Sequence, residues 1–537
     1  MTDMNKNIIM AVMCLTTYTA TAQETYENAQ LATEDLNGTA RYIGMGGAME
    51  ALGADISTMS TNPAGIGLFR KSWVGASAGV TFQKGSGSHA PSVLETVTSN
   101  NIRINESVTN ADFNQLGFIY STQCGQESWF NLGLNYHKSS NFNMIANALN
   151  TLDGLSSVNY ASIMRINAYN EASMLDELNW ETVNRNLQET YIDSEGNEVT
   201  QDGYKGADAY FSEKKNTGYI SEFDINFSGN FNNRVFLGVS IGMKDVHYNS
   251  TTNYAERLTG IGNDPYGEYT LIDYRKIRGT GLNIKFGIIV RPIEESPFRI
   301  GAYVHTPTWY DLTCDFGMET EAEYYSNGTP YEGYERSGWE YKYKMTTPWK
   351  FGLSLGHTIN NIVALGATYE YADYSFVKNK IVYDDDHSIY SPDTDMDKNT
   401  EYCLRSVSTA KFGVEVKPVP EVALRMGYNY VSPLYHEDAS KDLSIPTNDK
   451  YGSNGAYAST YDYTNWKAIH RVTFGIGFML TKNLNLDLAY QYSTQKGEYH
   501  PFPNYQWTDT DLDPNIGTPT QIKNERHQIN ATIGYRF

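Results

Sequence analysis

From Ser72 to the C-terminus the chain alternates apolar and polar residues in short runs, and the runs recur along its whole length. The first run presents Val74, Ala76, Ala78, Val80 and Phe82 at every second position. The fifth presents Val235, Leu237, Val239, Ile241 and Met243, and the last presents Ile529, Ala531, Ile533, Tyr535 and Phe537. The others lie at 116–120, 130–136, 223–227, 282–290, 298–304, 351–355, 363–369, 412–416, 422–428, 472–478 and 484–490. Successive side chains of a strand point to opposite faces, so a period of two marks strands with one apolar face. The runs approach the roughly 9–11 residues that a tilted strand needs to cross a bilayer.

The connections alternate as well. Short turns fall at 123–128, 232–234, 292–297, 359–362, 418–421 and 481–483. Long polar connections, rich in Tyr and Asp, fall at 84–111, 138–216, 244–274, 316–340, 377–405, 432–465 and 494–521. Short turns at one end and long loops at the other, joining an even number of strands, predict an all-β fold: a fourteen-stranded antiparallel transmembrane barrel. Both chain ends then lie on the short-turn side. Within the longest connection Tyr169, Ala172, Leu175 and Leu178 are spaced for an amphipathic helix, either a ligand entry site or a surface cap.

Composition agrees with the strand pattern. Among 537 residues there are 42 Tyr and 45 Gly, and aromatic residues make up 13%. Mean hydropathy is −0.49, with no apolar run of transmembrane-helix length after the N-terminus. Membrane strands remain compatible with that value, because alternation hides half of their residues from the average. A formal charge of −21 excludes nucleic acid as a partner, since phosphate neutralisation needs the opposite sign. Residues 1–22 read as a signal peptide: Lys6, an apolar Ile8–Leu15, then Ala20-Thr21-Ala22 before Gln23. Asp3 is unusual in such a segment and points to a start at Met4. Cys14 follows Met13 rather than a small residue, which excludes a lipoprotein. Cys124, Cys314 and Cys403 have no metal-type spacing and read as three unlinked thiols.

Between the signal and the first strand, residues 23–71 form a polar tail and a compact glycine-studded stretch. Gly44, Gly46 and Gly47 permit close backbone approach or positive φ. Asn62-Pro63 initiates a turn, followed by the small Ala64. Such a segment is too short to fold alone and predicts a plug for residues 72–537. The stretch resembles the N-terminal hatch of the FadL/TodX family of outer-membrane transport proteins, with its Gly-x-Gly-Gly-Ala…Ala-Asp…Asn-Pro-Ala pattern. His305-Thr306-Pro307, Thr347-Pro348-Trp349, the run Leu424–Tyr428 before Ser432-Pro433, and the terminal Phe537 extend the resemblance over nearly the whole mature chain, the long loops excepted.

The resemblance implies passive uptake of a hydrophobic small molecule, such as a fatty acid or an aromatic compound, across the outer membrane of a Gram-negative bacterium. It implies hatch movement and sideways release at a kink in the third strand, here Trp129–His137, with Gly133 and Asn135 at the gap. Asn62 is then expected to bond to the wall near that kink. Expected partners are the hydrophobic ligand, outer-membrane lipid and lipopolysaccharide, and the barrel-assembly machinery; no cofactor is expected. Shuttle barrels of type IX secretion (PorV-like) carry a similar hatch and bind cargo protein, which leaves an interaction role open. Hemin binding is a third reading, without paired axial ligands among the ten His.

Candidate chemistry is sparse, and an enzyme is not expected. Gly238-Val239-Ser240-Ile241-Gly242 matches a nucleophile-elbow pattern but lies inside an alternating run, where small residues relieve crowding. Gly44–Met49 lacks the third glycine of a dinucleotide fingerprint. The Asp393, Asp395, Asp397 and Asp509, Asp511, Asp513 triplets resemble calcium loops; the first lacks the required Gly and Glu, and no metal site is expected. Parity places Lys285, Arg299, Lys350, Lys411, Arg425 and Arg471 inward, with Asp224, Glu370, Glu415 and Asp487. The cations are candidate partners for a ligand carboxylate, or members of a salt-bridged lumen.

Overall fold

The computed structural model describes residues 25–84, 107–158, 182–183, 189–192, 198–201, 206–259, 265–326, 329–383, 388–441, 461–504 and 516–537. Fourteen strands form the wall, each antiparallel to its neighbours. In chain order they are β1 (Trp73–Lys84), β2 (Ser107–Gln123), β3 (Trp129–Asn141), β4 (Gly206–Phe231), β5 (Val235–Thr259), β6 (Pro265–Val290) and β7 (Arg299–His305). The second half comprises β8 (Lys350–Ile359), β9 (Val363–Asp373), β10 (Ser406–Val419), β11 (Val422–Val431), β12 (Tyr463–Met479), β13 (Leu484–His500) and β14 (Thr520–Arg536). β1 pairs with β14 from Trp73–Arg536 to Lys84–Glu525, so the fourteen-stranded wall closes on itself. The backbone N–H of Phe537 donates to the Ser72 carbonyl at 3.1 Å and fastens the seam.

The predicted faces hold. Phe118, Leu134, Phe227, Leu237, Phe286, Leu353, Phe412, Met426, Phe474 and Ile533 all point outward and are exposed. Aromatic residues flank this apolar belt: Phe130, Phe231 and Phe537 toward the short turns, Trp309, Trp349, Tyr369 and Tyr428 toward the other end. An apolar band between aromatic girdles is the surface of a membrane barrel. At the short-turn end, Asn232 and Asn233 (φ 52° and 54°) and Asn360 and Asn361 (φ 49° and 57°) make tight reversals. Asn tolerates this left-handed backbone better than other side chains do.

Three expectations need correction. The long connections are in large part strand, not loop. β5 and β6 pair continuously from Val235–Val290 to Leu258–Gly267, through the segment expected to be a loop at 244–274. Residues Trp309–Ser326 and Thr329–Thr346 likewise form a hairpin that continues the wall beside β6. Along β5 parity holds, but polarity inverts. On β5 the inward positions change from Ser240 and Lys244 to Val246, Tyr248 and Tyr254. Outside lipid the outer face meets water, so the apolar residues turn inward and close a core that includes Leu271, Tyr310, Leu312, Phe316 and Tyr343.

The second correction concerns Gly133 and Asn135. β3 is paired on both sides there: with β2 from Trp129 to His137, and with β4 from Trp129 to Lys138. No gap opens at Gly133, because a strand that keeps both ladders leaves no unpaired backbone. The irregularity in β3 lies higher, between Lys138 and Ser140. There its continuation (Met144–Thr151) leaves β2, and Gln83 of β1 exchanges hydrogen bonds with the Ile145 backbone.

The third concerns the first Asp triplet, placed by the pattern in a long loop: its described members cap backbone N–H groups instead. Asp393 caps a helix at Thr394–Cys403, accepting from Met396 N–H at 3.1 Å, and Asp397 accepts from Asn379 N–H. The signal peptide, the helix expected at 169–178 and the second Asp triplet lie outside the described residues.

Candidate functional site

Residues 25–69 run inside the barrel, and Arg70 and Lys71 are exposed beside the short turn at Asn233. Residues 25–69 comprise α1 (Thr25–Ala32), α2 (Ala40–Gly44) and two short 3-10 turns, Ile56–Ser60 and Pro63–Leu68. Tyr42, Ile43, Met49, Thr58, Asn62 and Ala64 are all buried. What lets so much chain fit is the glycine content of the wall. Gly356, Gly366, Gly413 and Gly427 are direct cross-strand partners on β8, β9, β10 and β11. A side chain at Gly366, Gly413 or Gly427 would collide with the backbone of Ala48, Met45 or Gly46, and one at Gly356 would press on the backbone of Ala51. Gly238 and Gly287 are filled in the same way by Pro63 and Asn62. The Gly238–Gly242 pattern is therefore a seat for backbone, with Ser240 Oγ donating to the Met59 carbonyl at 2.9 Å. At Gly46 (φ +63°) the inner segment needs its own left-handed turn, and no Cβ fits there either.

A belt of alternating charge joins the inner segment to the wall. Lys285 lies 2.7 Å from Glu222 and 2.8 Å from Asp224. Glu34 bridges Lys244 and Lys350, at 2.6 Å from each. Lys350 and Lys411 both face Glu370, at 3.8 and 3.6 Å, and Lys411 also holds Glu50 at 3.0 Å. On the other side Glu415 receives Arg41 at 3.0 Å and Arg425 at 2.6 Å, and Arg425 reaches Asp487 at 2.6 Å. Asp35 meets Arg471 at 3.3 Å and Arg526 at 3.8 Å. The Glu34 side chain is 29% accessible, but that area opens into an internal cavity rather than bulk water. Its burial favours the neutral form, yet the ammonium groups of Lys244 and Lys350 outweigh it and hold the carboxyl well below its usual range.

Of the six inward cations, five are thus satisfied by carboxylates. Only Arg299 makes no carboxylate pair among the described residues; it donates to the Leu52 carbonyl at 2.7 Å and stands near Arg70 and Arg291. For these five the contacts match the second of the two readings, a salt-bridged lumen: desolvated charges are stable here because the chain supplies both signs. The inner-segment acids Glu34, Asp35 and Glu50 were not singled out from the sequence. A signal was present, since the inward cations outnumber the inward acids and the surplus needs partners from the segment in the lumen.

His137, Glu222 and Asp224 bring ligand-type atoms within 4.8 Å of one another. Lys285 already supplies the positive charge at both carboxylates, and Ser60 Oγ donates to Asp224 at 2.9 Å, so the cluster is a salt-bridge node. Asn62 does reach the wall, but not at the third strand. Its amide donates to the Glu50 carbonyl at 3.1 Å and the Ile288 carbonyl of β6 at 3.4 Å, while its oxygen caps Ala64 N–H. The geometric reason is that the Pro63 turn packs on β5 and β6, whereas Met59 packs on Gly133.

Above the inner segment lies a cavity of about 280 Å³. One side is apolar and aromatic, with Phe142, Tyr374, Leu434, Tyr435 and Trp466. The other carries Glu34, Asp35, Lys350, Lys411, Arg471 and Arg526. The space is amphiphilic, and the cations named on its polar side are each paired with a carboxylate.

No protein-family model matches the chain. No curated protein matches it either. Among solved structures, the toluene transporter TbuX of Ralstonia pickettii overlays at a TM-score of 0.47, with 13% identity over 94% of this chain and 99% of that one. A Pseudomonas aeruginosa FadL homologue overlays at 0.49, with 11% identity over 94% of this chain and all of that one. The monoaromatic hydrocarbon channel CymD overlays at 0.46, with 10% identity over 94% of this chain and 99% of the channel.

Proposed function

We propose that the protein is a passive channel of the Gram-negative outer membrane for small molecules with an apolar body and a polar end. The observation that carries this reading is the amphiphilic cavity inside a closed barrel, with aromatic residues for the body and hydrogen-bonding groups for the end. Pockets that hold small ligands have this composition, mostly apolar with a few convergent polar groups. The inner segment acts as a hatch, and its movement admits or releases the solute. Because the cavity's cations are already paired, a neutral polar end fits it without displacing a carboxylate.

Native mass spectrometry of the protein purified in detergent tests the reading. The expected result is a retained small molecule on the wild type and its loss on Trp466→Arg, which replaces an aromatic ring of the cavity by a charge. A secreted protein co-purifying in its place, with no small molecule retained, would overturn the channel reading in favour of a cargo shuttle.

A further inference from the structure

A second cavity, of about 310 Å³, lies on the short-turn side of the inner segment, bounded by Arg41, Glu415, Arg425, Asp487, Trp73 and Phe478. The residues that border the two spaces interleave along the chain. Gly38, Tyr42 and Ser57 border the outer cavity; Thr39, Arg41, Asp55 and Ile56 border the inner one. A single thickness of chain therefore separates them at this point. It consists of two short stretches, Gly38–Thr39 and Asp55–Ser57, held by side-chain hydrogen bonds. Thr39 N–H donates to Ser57 Oγ at 2.9 Å, the Thr39 hydroxyl to Asp55 at 2.8 Å, and the Ser57 hydroxyl to Gln115 at 3.1 Å. The contact is also the least bulky one available, since a Cβ on Gly38 would lie 2.5 Å from Ser57 Oγ.

The rest of the boundary is built otherwise. Along β8 to β11 the seal is backbone against wall glycine, which cannot part without moving the whole segment. Sideways, the ladder between β2 and β3 is unbroken from Gln115 to Gln123. Above it, Asp112 ties Lys138 at 2.7 Å and Asn141 at 2.8 Å across the place where the strands diverge.

We infer that solute in the outer cavity leaves through the septum formed by Gly38–Thr39 and Asp55–Ser57, into the inner cavity, rather than sideways through the wall. The inference rests on the channel reading and adds the route and its chemistry. The septum is lined by hydroxyl, carboxylate and guanidinium groups, so it passes a compact solute with hydrogen-bonding groups better than a long alkyl chain. Water replaces the broken septum bonds as it opens, which backbone packed on glycine does not allow.

Conductance in planar bilayers with potassium chloride tests the septum without any ligand. Removing its side chains in Thr39→Gly/Ser57→Gly is expected to raise conductance on the order of tenfold, because conduction follows the width and lining of the narrowest point. Asn361→Gly, at a short turn outside the segment where the left-handed backbone suits glycine, should leave it at the wild-type level. A heat-modifiable, assembled Thr39→Gly/Ser57→Gly barrel with wild-type conductance would overturn the inference. The second measurement uses a cysteine pair, Thr39→Cys/Asp55→Cys, in proteoliposomes loaded with 4-nitrophenyl glucoside, a neutral solute with an aromatic body and a hydroxylated end. Efflux should fall several-fold on oxidation and return with reductant. Efflux untouched by this pair but stopped by an oxidised Asp112→Cys/Lys138→Cys pair would overturn it in favour of a lateral exit. Absence of efflux from the wild type would count against the channel reading alone, while the conductance result still decides the septum.

Discussion

Lys285 shows what the lumen asks of single residues. Its ammonium is buried between Glu222 and Asp224, and Lys244 and Glu34 extend the same belt. Breaking a buried pair by removing one partner is far costlier than replacing both, because an uncompensated charge stays in low dielectric. Lys285→Met is therefore expected to destabilise the barrel by about 3–5 kcal/mol. Adding Glu222→Gln and Asp224→Asn should recover most of that loss. Urea unfolding in detergent checks both; equal midpoints for Lys285→Met and wild type would show that the pair contributes nothing. Arg299 differs, because its carbonyl partner Leu52 belongs to the inner segment, and its loss should loosen that segment rather than the wall.

Among the elements, the strands do two jobs on their inward faces. Low in the barrel they offer glycine, so that α2 and its neighbours can lie against bare backbone. Higher up they offer Tyr, Leu and Phe, which close the far end around α1. Gly366→Val tests the first job. A β-branched residue suits the strand itself, but here its side chain meets the Ala48 carbonyl. Such overpacking costs about 1–3 kcal/mol, and it falls on the inner segment rather than on the ladder. The barrel should assemble, and trypsin should then cleave at Arg41, which the wild-type lumen protects. Cleavage no faster than wild type would mean that the glycine row is not a seat. The Gly–Ser–Gly stretch of β5 was legible as crowding relief from its parity; what crowds it, the Pro63 turn, was not.

The whole molecule is a closed wall with an apolar belt outside and a filled interior. Phe286 is 43% exposed on that belt, whereas Ser240 is buried against Met59. Phe286→Arg should cost about 2–4 kcal/mol if it reaches the bilayer midplane. Ser240→Arg leaves the belt intact but cannot fit beneath the inner segment, so it should displace that segment and spare assembly. Migration of boiled and unboiled samples on a gel reads both; equal assembly of the two together with an undisturbed inner segment would contradict the assignment of faces. The sequence by itself determined the wall strands, their number and their faces, because lipid, wall and turn each impose a local pattern on consecutive residues. It could not decide that Lys285, Lys350, Lys411, Arg425 and Arg471 are neutralised from within, that Asn62 meets β6, or that β3 is closed at Gly133. Nor could it foresee that the long connections are strands whose polarity inverts above the membrane. Those facts depend on which distant segments meet inside the closed barrel, and such meetings leave no period along the chain.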